Sequence, residues 1–141
     1  MYQKITIVGY LGGDPEMRYT PSGQAVTNFS VATSRRWTTN EGERAEETTW
    51  FRVSAWGRQA ETTNQYLGKG SRVLVEGRLR PDPQTGGPRI WTRQDGAPGA
   101  SFEITARRVV FLSSREEDEA FRAQSGDFSS PEQIQEDEIP F

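Results

Sequence analysis

The sequence predicts an all-β domain interrupted by one short helix and followed by an acidic tail. Three observations carry that expectation. Five stretches are rich in β-branched and aromatic residues with a period of two, the pattern of half-buried strands. Within the body only Gln59 to Leu67 reads as a helix, with Ala60, Thr63 and Leu67 along one side. After Leu112 the apolar periodicity stops.

Lys4 to Leu11 is the first strand, ended by the turn chemistry of Gly12-Gly13-Asp14-Pro15. A short extended piece at Met17-Arg18-Tyr19 leads to a second turn at Pro21-Ser22-Gly23. Ala25 to Arg35 is the second strand, with Phe29, Val31 and Thr33 spaced by two. The polar stretch Thr38 to Glu47 is expected to be a flexible hairpin tip. Thr48 to Trp56 is the third strand. Its alternation puts Phe51, Val53 and Ala55 on a core face and Trp50, Arg52, Ser54 and Trp56 on the other. The helix comes next, with Gly68 and Gly70 as its stop signal. Arg72 to Arg80 is the fourth strand, with Val73, Val75 and Leu79 inward and Arg72, Arg78 and Arg80 outward. Pro81 to Ala100 is an excursion rich in turn residues, with one extended piece from Arg89 to Arg93. Phe102 to Leu112 is the last strand. A lone helix between strands three and four of an otherwise all-β body suits a five-stranded Greek-key barrel of the OB type. Residues 1–112 form that domain. Residues 113–135 have high charge and little to bury, so they read as a disordered linker with a fleeting helix in Arg115 to Gln124. Residues 136–141 form a separate tip.

There is neither cysteine nor histidine. Disulfides and thiolate metal sites are therefore excluded, and the commonest metal ligand and general base are missing. A zinc hydrolase or a Ser-His-Asp enzyme is ruled out. The body's carboxylates are scattered, so no catalytic residues, metal or cofactor are expected. Gly68-Lys69-Gly70-Ser71 resembles a scrap of a phosphate-binding loop, but the glycine required five residues earlier falls on Thr63. The opening Met1-Tyr2-Gln3-Lys4-Ile5-Thr6 lacks a charged-then-apolar leader pattern. No apolar run approaches the roughly 18 residues of a membrane span. A cytoplasmic protein without a membrane partner is expected.

The net charge of −3 hides a division. Residues 1–112 carry a net +4, whereas residues 113–141 carry −7. A basic body suggests contact with a polyanion, and the tail different work. The basic residues are nearly all Arg, which pairs with phosphate and also stacks on bases. None of Trp37, Trp50, Trp56 and Trp91 falls on the inward face of an expected strand, and Arg residues stand beside them. An exposed indole forfeits its hydrophobic gain unless something covers it. Bases would do so, with base–aromatic stacking contributing roughly 1–3 kcal/mol per base. The alternative is that these rings plug the barrel ends or a subunit contact. At the other end of the chain, three acids lead into Ile139-Pro140-Phe141. The terminal ring with its α-carboxylate is suited to a basic-rimmed pocket on a partner.

These segments resemble the bacterial single-stranded DNA-binding protein family. Ile7-Val8-Gly9-Tyr10-Leu11-Gly12-Gly13-Asp14-Pro15-Glu16-Met17-Arg18-Tyr19 is similar to its opening motif. Phe29 to Ser34 with Trp37, Thr49 to Val53, Leu67 to Ser71 and Val75 to Leu79 follow in the family's order, and the acidic Ile-Pro-Phe ending completes it. The resemblance implies an OB-fold homotetramer that wraps single-stranded DNA during replication, recombination and repair. It implies stacking at Trp37, Trp50, Trp56 and Trp91, and basic contacts from Lys4, Arg18, Arg52, Arg58, Lys69 and Arg80. It also implies docking of replication, recombination and repair enzymes by Asp137, Glu138, Ile139, Pro140 and Phe141, and a location on the nucleoid. Two departures stand out: Pro81 to Pro88 looks like an insertion, and the linker lacks a long Gly/Pro/Gln-rich tract. An OB-fold RNA binder or replication-restart adaptor, and a nuclease, are the rival readings.

Overall fold

Phe29, Val31, Val53, Val73, Val75 and Ile104 are almost wholly removed from water, and they come from four strands distant in sequence. Burying them together is what curls the sheet. The computed structural model describes residues 1–114 and, beyond them, residues 116, 117, 120 and 123. The strands are β1 (Ile5–Leu11), β2 (Glu16–Tyr19), β3 (Ala25–Thr38), β4 (Arg44–Trp56), β5 (Arg72–Leu79), β6 (Arg89–Thr92) and β7 (Pro98–Phe111), with helix α1 (Arg58–Tyr66) between β4 and β5. The sheet runs β1-β5-β7-β4-β3-β2, and a further β1–β3 pairing closes it into a ring of five strands. The expected barrel and the place of its single helix are both borne out. β2 flanks β3 as an edge strand, and β6 pairs only with β7.

Closure demands two very close approaches, Gly9 against Ala32 and Gly77 against Thr105, where a Cβ would in each case lie 2.2 Å from a carbonyl oxygen. β1 pairs with β5 from Ile5 to Tyr10 and with β3 at Tyr10 and Leu11. At Gly9 a Cβ would lie 2.2 Å from the carbonyl oxygen of Ala32, so only glycine fits beside β3. The other three joints are the antiparallel β3–β4 and β5–β7 ladders and a four-residue parallel pairing of β4 with β7, Phe51–Ser54 against Phe102–Thr105. The Phe51 and Phe102 rings meet there at 6.0 Å between centroids. Helix α1 packs on β3 and β4 through buried Ala60 and Thr63, and the Thr27 hydroxyl donates to the Ala60 carbonyl at 2.6 Å. Leu67 is buried in the core, as its helical spacing predicts.

Two expectations are corrected. Thr38 to Glu47 is not a loose tip. β3 and β4 stay paired without a break to Thr38 and Arg44, and only the turn between them is unpaired. Cross-strand ion pairs Arg35–Glu47 at 2.9 Å and Arg36–Glu46 at 3.4 Å explain how so polar a stretch remains a ladder. Leu79 is exposed rather than inward. The alternation of β5 holds, with Leu79 opposite buried Ile104, but the strand ends there and Leu79 lies on the barrel rim beside Pro81, Pro88 and Phe102. The excursion has the expected turns and extended piece: Asp82 closes a small loop with Gly86 and Gly87, and β6 folds back on β7 around a turn at Arg93–Ala97.

Past the barrel, Ser114 and Glu117 form a reciprocal capping box. The Glu117 N–H donates to the Ser114 hydroxyl at 3.1 Å, and the Ser114 N–H donates to the Glu117 carboxylate at 2.7 Å. Glu116, Glu117, Ala120 and Ala123 are helical. The rest of the expected linker and the tip Asp137, Glu138, Ile139, Pro140 and Phe141 lie outside the described residues. Among the described residues no helix is long and apolar enough to cross a membrane.

The Gly9–Ala32 approach gives a direct prediction. A Gly9→Ala substitution presses a methyl onto backbone that cannot swing aside, which costs about 3 kcal/mol by the scale of overpacked cores. Urea unfolding of the variant is expected to show a clearly lower midpoint; an unchanged midpoint would mean that closure does not depend on this contact.

Candidate nucleic-acid interface

β4 builds the site by alternation. Phe51, Val53 and Ala55 turn to the core, and Trp50, Arg52, Ser54 and Trp56 turn outward, as the sequence predicts. Register then fixes their neighbours on the same face. Trp56 stands opposite Val26, which stands opposite Arg18 of β2. Ser54 donates to Asn28 across the β3–β4 ladder at 2.7 Å. Arg52 lies between Ser30 on β3 and Glu103 on β7. Trp50 lies opposite Ala32 and shares a groove with Arg52 and Ser101. On β6, Arg89 and Trp91 pair with Ser101 and Gly99, continuing the face over the excursion.

Three of the four tryptophans are less open than the sequence suggests. Trp50, Trp56 and Trp91 are half-buried, and only Trp37 counts as exposed. The indole N–H groups of Trp50 and Trp91 are covered by protein, and the Trp91 ring lies against the sheet. For Trp91 the cause is Gly99. A Cβ there would meet the ring at 2.4 Å, which places the indole directly over the glycine backbone. Arg93 stacks near the same ring at 5.9 Å. Trp37 sits on the hairpin arm opposite Ala45, with the Arg35 guanidinium 4.4 Å from its ring centroid. By alternation Trp37 belongs to the row of Phe29 and Val31, on the ribbon face opposite Trp50.

The charges converge on Arg52. Burial pushes its guanidinium below the ordinary value, Glu103 pulls it back up, and Arg89, Arg18 and Arg80 push it down again. Arginine is so strong a base that it remains charged at neutral pH. Arg18 and Arg80 from the resemblance thus join Arg52 in one basic cluster. Lys4, Arg58 and Lys69 do not. Lys4 pairs with Glu76 across β1–β5 at 3.6 Å. Arg58 opens α1 in solvent, and Lys69 follows the helix, its backbone N–H donating to Asp14 at 2.9 Å.

Two members escape sequence reasoning. Arg89 is half-exposed and lies 3.5 Å from Glu103, whose side chain is 7% exposed and also lies 3.7 Å from Arg52. The sequence sets Arg89 beside Trp91 but gives no sign that it joins Arg52. Nothing local marks Glu103, because its neighbours come from the long-range β4–β7 register.

A model described as "Single-strand binding protein family" matches residues 2–112. The single-stranded DNA-binding protein of Neisseria meningitidis serogroup A is 40% identical over 114 residues, covering 81% of this chain and 62% of that protein. Its namesake from Helicobacter hepaticus is 40% identical over 115 residues, covering 82% and 64%. The chain thus spans about 62–64% of the length of these relatives. Among solved structures, the Plasmodium falciparum SSB complex with ssDNA superposes with a TM-score of 0.64 at 28% identity, covering 80% of this chain and 97% of that one. A deletion mutant of the single-stranded DNA binding protein from Thermus aquaticus gives 0.60 at 30% identity, covering 79% and 51%. With barrel, helix placement and most of the chain in agreement, the chain belongs to the single-strand binding protein family.

Proposed function

We propose that this chain binds single-stranded DNA without regard to sequence and recruits partner proteins through residues 136–141. The observation that best supports the reading is one outward sheet face on which Trp50, Trp56 and Trp91 alternate with Arg18, Arg52, Arg80 and Arg89. Every base has a π-face, so indoles stack on any sequence, while guanidinium groups neutralise phosphates and release counterions. A duplex hides its base faces in its own stack, so such a surface selects single strands. The names of the relatives and the ssDNA-bound structural neighbour support the same reading.

Trp37 adds a platform on the hairpin arm. Lys4, Arg58 and Lys69, outside the Arg52 cluster, meet phosphates farther along a strand that follows the barrel. The working form is a cytoplasmic, nucleoid-associated homotetramer that protects single strands in replication, recombination and repair. Asp137 and Glu138 meet the basic rim of a partner's pocket, while Ile139, Pro140 and Phe141 fill it. The protein carries out no chemistry and needs no cofactor.

The primary test is a titration of tryptophan fluorescence with oligo-dT, oligo-U and duplex at two salt concentrations. Strong quenching by oligo-dT, little by duplex, and a log affinity falling by about 0.7 per phosphate contact with log salt is expected. Equal response to duplex would sink the reading, and tighter binding of oligo-U would transfer it to RNA. Replacing Gly99 with Ala should lift the Trp91 ring from its seat. Affinity for oligo-dT then drops about fivefold, roughly 1 kcal/mol and the lower end of the stacking range, while the melting temperature stays near that of the parent. Deleting residues 137–141 is expected to leave oligo-dT affinity intact at moderate salt and to abolish pull-down of repair enzymes; retained capture would place the docking site elsewhere.

A further inference from the structure

Glu103 is an oddity on a face argued to meet phosphates. A carboxylate there repels the ligand, and its burial carries a desolvation cost. Yet three elements of the face converge on it. Its Oε1 is 3.7 Å from Nη1 of Arg52 on β4 and 3.5 Å from Nη1 of Arg89 on β6. Its carbonyl accepts the Arg80 N–H at 2.8 Å, just past β5. Arg18, Arg80 and Arg89 all bear repulsively on Arg52, and Glu103 is the acid that acts against them. Without it, like charges would drive the guanidinium groups apart, and the half-exposed Arg89 would sample many rotamers.

We propose that Glu103 is a positioning residue of the binding face, its carboxylate fixing Arg52 and Arg89 where phosphates will lie, so that a negative charge inside the interface strengthens the binding of single strands. The inference rests on the single-strand reading above. The physical gain is preorganisation. Long basic side chains lose rotamer freedom when they grip a ligand, and a side chain already held loses less. One oxygen shared by a barrel strand and the excursion also fixes the Trp91 platform relative to the Trp50 groove.

The sign of one substitution separates this from plain electrostatics. Oligo-dT titrations of the full chain are run at several salt concentrations for the parent, Glu103→Gln and Glu103→Asp. If Glu103 is merely an opposing charge, Glu103→Gln binds more tightly with an equal or steeper salt slope, and Glu103→Asp matches the parent. Positioning requires the reverse. Glu103→Gln is expected to bind about tenfold more weakly, with a log–log salt slope shallower by about 0.7 as one phosphate contact is lost. Glu103→Asp, which keeps the charge but shortens its reach, is expected to bind about threefold more weakly. Equal or tighter binding by Glu103→Gln, or parental affinity in Glu103→Asp, overturns the proposal. So does weaker binding with the parental slope, which would make Glu103 a structural anchor only. Thermal melts fix the folded fraction of each variant, and if Glu103→Gln does not fold, Glu103→Asp decides alone. A parent that ignores oligo-dT defeats the single-strand reading itself, an outcome visible before any variant is compared.

Discussion

The fold depends on a contact that side chains cannot mediate, the approach of β1 to β3 at Gly9. Five strands can bury Phe29, Val31, Val53, Val75 and Ile104 together only if the sheet closes on itself. Closure leaves β1 holding β5 along most of its length and β3 at its end. Once the ring is shut, every strand has a fixed inside and outside. The period of two in β4 then ceases to be a pattern in a sequence and becomes two surfaces with different chemistry.

The outer surface combines groups that are costly to assemble. Four arginines near one another repel, and Arg52 loses solvent as well. Half-buried indoles with covered N–H groups forgo hydrogen bonds that water would give them. Such an arrangement is less stable than a neutral polar surface would be, and the barrel beneath supplies the rigidity that tolerates it. The buried carboxylate of Glu103 offsets part of the repulsion from within the same sheet.

Much of this was legible in the sequence, and the limits follow a physical boundary. Alternation is local, so the outward placement of Trp50, Arg52 and Trp56 could be read from nine residues. The helix position, and with it the barrel class, followed from spacing and glycine stops. What could not be read depends on partners far along the chain. The polar residues Arg35, Arg36, Glu46 and Glu47 suggest a loop until the β3–β4 register pairs them. Leu79 has core spacing but runs out of barrel. Glu103 is one acid in a strand until β4 and β6 bring arginines to it. Trp91 looks free in a loop until Gly99 provides a flat seat.

The unbroken β3–β4 ladder has a geometric corollary for anything that lies along it. Thirteen residues of β3 are matched in register with β4, so the two faces of the ribbon never exchange. Trp50 belongs to one face and Trp37 to the other, and the arm from Ser34 to Thr38 reaches about 17 Å past the barrel at the rise of an extended strand. A polymer that touches both rings cannot follow a straight course. It has to round the edge of the ribbon, and its contour between the two indoles exceeds the distance separating them. A flexible chain in contact with both rings would turn about the hairpin as about a peg, a course that a stiff one could not take.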